Sequence, residues 1–238
     1  MNNTKDIAVI LAAGLGKRMY PITKNVPKPM VIVNGKALVE TIIDGLNNRG
    51  IDRIYVVVGY LGEQFKILEE KYPNLTLIYN DLYKECNNIS SLYKVTDVIR
   101  NSNCLICEGD LYISDAQVFN KQLDNSGYFG TLVEGYSDDW IFETDDNLKI
   151  TRVRKGGTDC YNMIGLSFFN KNDTKILADK INEAFQNNVN RNLFWDEVVD
   201  ANLDTFDLKV YPIKEGVVTE IDTVQELVQL DKSYLKYL

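Results

Sequence analysis

The 238-residue chain contains no histidine. That absence excludes Ser-His catalysis, zinc sites built on imidazole and histidine general bases. Cysteine is scarce as well: Cys86, Cys104, Cys107 and Cys160 make no disulfide framework in a chain of this length. Cys104 and Cys107 have CxxC spacing, but they lie in the apolar stretch Cys104-Leu-Ile-Cys107 with no second pair, and they read as buried strand thiols rather than a metal or redox motif. Long apolar runs are also missing. The run that opens at Ile7, after polar residues 1–6, is only about seven residues long, too short for a signal core or a membrane span. The expectation is a cytoplasmic protein with no membrane partner.

Basic charge is in deficit, with 26 Lys and Arg against 34 Asp and Glu and a formal charge of −8. Such a balance argues against a sequence-independent nucleic-acid binder, which needs a net basic face. The acids are themselves absent from one window. No Asp or Glu occurs from Ile7 through Val39, while Lys17, Arg18, Lys24, Lys28 and Lys36 all fall inside it. An acidic chain that keeps one end free of carboxylates and supplies it with cations is expected to bind a small polyanion there.

What is present is the pattern of one α/β domain. A hydrophobic content of 45% is enough to bury a full core without disulfides or oligomerisation. Apolar runs at Ile7–Ala12, Ile54–Val58, Leu75–Tyr79 and Leu105–Cys107 alternate with helical spacing, as in βαβ units. A helix over Ala37–Arg49 carries Leu38, Ile42 and Leu46 on one stripe and ends at Gly50; a second runs from Glu63 to Tyr72 and stops at Pro73. Short strands at Tyr128–Glu134, Trp140–Glu143 and Leu148–Val153 suggest an antiparallel insertion over about 128–160. A strand at Met163–Phe169, helices at Thr174–Gln186 and Phe194–Asn202, a strand at Leu208–Tyr211 and a helix after Asp222 complete the chain. The fold class is therefore α/β: a single Rossmann-like αβα domain over residues 1–238 with a mostly parallel central sheet and a small antiparallel insertion.

The segment Leu11-Ala12-Ala13-Gly14-Leu15-Gly16-Lys17-Arg18 follows the first strand, at the sheet's carboxyl edge where such folds bind ligands. Small residues let backbone N–H groups approach phosphate oxygens, and the two cations neutralise them. It is neither a dinucleotide fingerprint, because Met19 stands where the third glycine would be, nor a Walker A loop, which needs Lys-Ser/Thr after its last glycine. Pro21, Pro27 and Pro29, three of the five prolines, stiffen the stretch that follows and hold Lys28 between the last two.

This pattern, Leu11 to Arg18 followed by Pro27-Lys28-Pro29, resembles the signature of the nucleotidyltransferases that make nucleotide sugars and CDP-alcohols. Within that superfamily the chain looks most like the bacterial CTP:phosphocholine cytidylyltransferases. The likeness extends through Val58-Gly59-Tyr60-Leu61-Gly62-Glu63-Gln64-Phe65, Asn87-Asn88-Ile89-Ser90-Ser91-Leu92, Glu108-Gly109-Asp110, Trp195-Asp196 and Glu220-Ile221-Asp222. It implies the reaction CTP + phosphocholine → CDP-choline + pyrophosphate, by direct in-line attack with no covalent enzyme intermediate. Leu11, Ala12, Ala13, Gly14, Gly16 and Lys17, with Gly59 and Tyr60, would bind the nucleotide, Arg18 the β- and γ-phosphates, and Lys28 the attacking phosphate. Asn87, Asn88, Ser90 and Ser91 would read the cytosine edge, although such residues also cap helices. Asp110 and Asp222 would hold Mg²⁺, although Asp222 is equally placed to cap the last helix. Pro29-Met30 stands where relatives often carry Ala-Leu and is read as a packing pair.

For the acceptor, the resemblance points to Trp140, Tyr161, Trp195, Asp196 and Glu220. Aromatic faces beside carboxylates suit a quaternary ammonium, which has no N–H to donate; the plainer alternative puts both tryptophans in the core. The expected partners are thus small molecules alone, CTP and phosphocholine or a similar phosphorylated amine such as phosphoethanolamine. A sugar 1-phosphate acceptor remains as an alternative, as does a glycosyltransferase of similar fold. The latter normally carries a DxD motif, and Asp110-Leu111-Tyr112 lacks the second Asp.

Overall fold

A computed structural model describes residues 6–238. Strand β1 (Ile7–Ala12) is apolar at all six positions and buried at all six, the mark of a strand covered on both faces. Its even residues Ala8, Ile10 and Ala12 join one core cluster, and Ile7, Val9 and Leu11 join another on the opposite face. After a small ribbon, β2 (Ile32–Val33) with β3 (Lys36–Ala37), helix α1 (Leu38–Arg49) packs on the first face through Ile42 and Leu46. Gly50, at φ 85°, ends it in the left-handed conformation, and its N–H bonds back to the Leu46 and Asn47 carbonyls.

Next come β4 (Arg53–Val58), α2 (Lys66–Lys71), β5 (Leu75–Tyr79), α3 (Ile89–Tyr93), α4 (Thr96–Ile99), β6 (Cys104–Glu108) and β7 (Leu111–Ile113). The second predicted helix starts later than expected, because Gly62–Phe65 winds as a 3₁₀ turn ahead of α2. The remaining elements are β8 (Gly127–Thr144), β9 (Ile150–Phe169), α5 (Lys171–Gln186), α6 (Trp195–Asp200), β10 (Lys209–Ile213), β11 (Val218–Glu220) and α7 (Val224–Leu230). The seven-stranded sheet runs β10-β8-β9-β6-β1-β4-β5, parallel except where β9 pairs with β6 and β8.

The insertion differs from the expected short strands. β8 and β9 form one long hairpin whose register shifts repeatedly between Tyr128 and Thr144, so the ladder bends and carries the polar stretch 154–162 as strand. Cys104 and Cys107 lie three apart on β6 and point to opposite faces, each buried, in agreement with a structural role. No helix among the described residues is long and apolar enough to cross a membrane.

Candidate active site

The carboxyl ends of β1, β4 and β6 are drawn together by backbone contacts that only glycine permits. The Tyr60 N–H donates to the Ala13 carbonyl at 3.1 Å, and the Gly109 N–H donates to the Leu11 carbonyl at 2.9 Å. A Cβ on Gly59 would lie 2.9 Å from the Ala13 oxygen, and one on Gly109 would lie 2.8 Å from the Leu11 oxygen. Gly16, at φ 61°, turns the loop so tightly that a Cβ there would stand 3.0 Å from the Lys28 Cβ. Thr23 fastens this turn by donating its hydroxyl to the Gly16 carbonyl at 2.7 Å. The result is a cleft of about 440 Å³ lined by Leu11–Arg18, Lys28, Asn80, Asn88, Glu108, Asp110 and Asp222 among others.

At one end of the cleft, charges from distant parts of the chain converge. The Lys28 ammonium lies 2.6 Å from Asp110 Oδ2 and 2.6 Å from Asp222 Oδ1, and Arg18 Nη2 reaches the same Asp222 oxygen at 2.6 Å. Burial alone would lower the Lys28 pKa, but the Asp110 and Asp222 carboxylates outweigh it and hold the ammonium above its ordinary value. Asp222 is correspondingly held below the usual carboxylate range, the two cations overcoming its partial burial. The cation-rich window of the sequence is thus balanced by acids from outside it.

Thr223, not Asp222, caps α7: its hydroxyl accepts the Glu226 N–H at 3.2 Å, which leaves the Asp222 carboxylate to face the cleft. Carboxylate oxygens of Asp110, Glu220 and Asp222 approach within 4.8 Å of one another. Glu220 is exposed as a residue; desolvation of its carboxyl, then the charges of Asp110 and Asp222, raise it above the ordinary carboxylate range. Asp110 Oδ1 is buried and has no hydrogen-bond partner among the described residues. A set of hard oxygens with one atom left orphaned fits a small divalent cation such as Mg²⁺.

The residues expected to read the base are largely engaged within the protein. Asn80, buried and lining the cleft, donates to Ser90 Oγ at 2.9 Å and Ser91 Oγ at 3.1 Å, and Ser90 donates to the Asn87 carbonyl. Asn88 accepts the Trp195 N–H at 3.0 Å and donates to Glu108 Oε1 at 3.3 Å. Asn88, Ser90 and Ser91 do line the cleft, but their polar atoms brace its wall, and Asn88 ties that wall to the other half of the molecule.

The acceptor candidates fall into three groups, and none of them lines the main cleft. Trp195 is 3% exposed, stacks on Tyr128 with centroids 5.7 Å apart, and donates its indole N–H to Glu108 Oε1 at 3.4 Å. It is a core residue, so the aromatic wall expected of it is not there; what it supplies is the orientation of Glu108. Asp196 is buried beside Tyr128, with Oδ1 unpaired among the described residues, and burial pushes its carboxyl up to about 7. Trp140 and Tyr161 are half-buried at the hairpin, where Trp140 meets Phe194 edge-to-face at 5.8 Å and the Lys155 ammonium stands 5.4 Å from its ring centroid. Glu220 belongs instead to the carboxylate group of Asp110 and Asp222. Gly59 and Tyr60 likewise stand behind the cleft, as braces of the Ala13 turn.

A family profile described as Nucleotidyl transferase matches residues 7–127. A 2-aminoethylphosphonate cytidylyltransferase of Lancefieldella rimae is 45% identical over 100% of this chain and 96% of its own. A choline-phosphate cytidylyltransferase of Streptococcus pneumoniae is 34% identical over 94% of this chain and 96% of its own. The chain belongs to the nucleotidyl transferase family. Among solved structures, the CTP:phosphocholine cytidylyltransferase of S. pneumoniae superposes on this nucleotidyltransferase with a TM-score of 0.88 and 33% identity, over 96% of this chain and 99% of that one.

Three participants of the site escape a reading of the sequence. Asn80 follows β5 directly, ahead of Asp81, with only its place at a strand end as a signal. Glu108 carries a charge on an otherwise apolar strand, and that anomaly could have marked it. Lys155 sits among charged and glycine residues with nothing local to show that a tryptophan lies across the ladder. Pro29 lines the cleft while Met30 packs against the core, so the expected packing pair is divided between the two roles.

Proposed function

We propose that the chain is a cytidylyltransferase that joins CMP from CTP to the phosphonate or phosphate group of a small primary amine, with 2-aminoethylphosphonate as the foremost acceptor. The observation that carries this reading is the acidity of the acceptor side. Burial, then the charges of Asp110, Asp196 and Glu220, hold the Glu108 carboxyl well above the ordinary range. Neither Glu108 nor Asp196 has a cation within ion-pair distance among the described residues. Carboxyls gathered in this way favour a ligand that brings positive charge and N–H donors. An open aromatic cage, which a trimethylammonium would need, is not built: Trp195 is in the core, and a face of Trp140 holds Lys155. The higher identity to the aminoethylphosphonate enzyme, 45% against 34%, supports the same choice over phosphocholine.

In this reading an acceptor oxyanion attacks the α-phosphorus of CTP in line, forming one P–O bond as the bond to the pyrophosphate oxygen breaks. Lys28 would steady the attacking oxyanion, Arg18 would hold the departing phosphates, and the glycine-rich backbone would position the triphosphate. Asp110 and Asp222, with Glu220 at their margin, would hold Mg²⁺, which supplies charge neutralisation at the phosphates when bound. Pyrophosphate release with each of the four common nucleoside triphosphates, crossed against 2-aminoethylphosphonate, phosphoethanolamine, phosphocholine and glucose 1-phosphate, tests the proposal. CTP with 2-aminoethylphosphonate is expected to be fastest. A faster rate with glucose 1-phosphate, or with another nucleotide, would overturn it.

A further inference from the structure

Trp140 and Lys155 are direct partners across the β8–β9 ladder. Opposed residues of an antiparallel pair project from the same face of the sheet with their Cβ atoms about 5 Å apart. The pairing itself therefore brings the Lys155 ammonium to the indole, 5.4 Å from the ring centroid. That ammonium forms no ion pair among the described residues, in a chain with an excess of acids. Gly156 and Gly157 follow it, so neither of the next two positions offers a side chain that could take its place.

The surroundings place this pair at the margin of the acidic acceptor side. Phe194, edge-on to Trp140, immediately precedes Trp195 and Asp196. A quaternary ammonium is held by an aromatic face because it has no N–H to donate. At Trp140 it would have to displace a like charge that belongs to the chain. A primary ammonium, held through N–H···O bonds to carboxylates, does not need that face.

We infer that Lys155 is a specificity-determining residue, which turns this chain against quaternary-ammonium acceptors by occupying the face of Trp140. The inference rests on the reading of the protein as an amine-accepting cytidylyltransferase. Its test is the ratio of kcat/KM for phosphocholine to kcat/KM for 2-aminoethylphosphonate, measured with CTP for the wild type, Lys155→Ala and the Lys155→Ala/Trp140→Ala double variant. Lys155→Ala should raise the ratio about fivefold, within the range that a cation–π contact supplies, through phosphocholine and with the KM for CTP unchanged. The double variant should lose that gain. An unchanged ratio in Lys155→Ala overturns the inference and leaves the functional reading intact, and so does a gain that persists without Trp140. A wild type inactive with both amines overturns the functional reading and the inference with it.

Discussion

On the side of the crevice where Lys28 and Arg18 meet Asp110 and Asp222, these four charges pair with one another. Lys28 and Arg18 reach Asp110 and Asp222 at 2.6 Å, and the sequence separations run from 82 to 204 residues. On the acceptor side Glu108 and Asp196 face only neutral donors or none, and both carboxyls are shifted upward by burial. In the proposed reading, the first region would exchange one set of ionic contacts for another when CTP and Mg²⁺ bind. The second gathers carboxyls that have no cation within ion-pair distance among the described residues. A family that shares one reaction can therefore keep its phosphate side constant and change its acceptor by rearranging the other.

The largest effect expected is at the first region. Asp110→Asn keeps the size of the side chain and removes an anionic oxygen ligand, so kcat should fall at least about a thousandfold, with the fold intact by circular dichroism. Near wild-type turnover at limiting Mg²⁺ would show that the carboxylates of the two regions do not differ in role. Lys28→Met comes next. It should cost at least about a hundredfold in kcat, the scale for loss of one charge-stabilising donor. A change confined to the KM for CTP would move Lys28 from the attacking oxyanion to the nucleotide.

These two predictions concern the part of the site that the sequence makes legible, and the reason is local. The glycine-rich turn, the proline-framed Lys28 and the aspartates at two strand ends each declare themselves within a few residues, and a strand end in an α/β sheet already specifies where its next residues point. The acceptor side depends on contacts made across the fold. Trp195 is in the core, where Tyr128 stacks on it, Asn88 has its amide engaged by Trp195 and Glu108, and Lys155 meets Trp140 through a hairpin whose register shifts several times. Nothing in the spacing of those residues encodes such encounters. The parallel strands were readable as unbroken apolar runs, whereas the long bent strands β8 and β9 were not, because bulges interrupt their alternation.

A smaller effect sharpens the comparison from the acceptor side. Asp196 holds its proton up to about 7 in the folded chain, against an ordinary value near 3.8, with Tyr128, Glu197 and Glu108 around it. The folded state therefore binds more protons than the unfolded state between these values, and this group makes stability fall as pH rises from about 4 to about 7 and level off above. Asp196→Asn should remove that part of the slope. Relative to the wild type it should gain on the order of a few kcal/mol at pH 8 and little at pH 4, as read by urea unfolding at the two pH values. Equal differences at both would mean that Asp196 is ionised throughout and compensated as fully as the acids of the phosphate side.

The contrast between a balanced phosphate side and an acidic, uncaged acceptor side is tested most directly by competition. Wild-type protein is given CTP, Mg²⁺ and equal concentrations of 2-aminoethylphosphonate and phosphocholine, and the two CMP-linked products are followed together by ³¹P NMR, where phosphonate and phosphate resonances are well separated. The account predicts that the aminoethylphosphonate product forms first and in excess, until that acceptor is depleted. Preferential formation of CDP-choline from the mixture would contradict it.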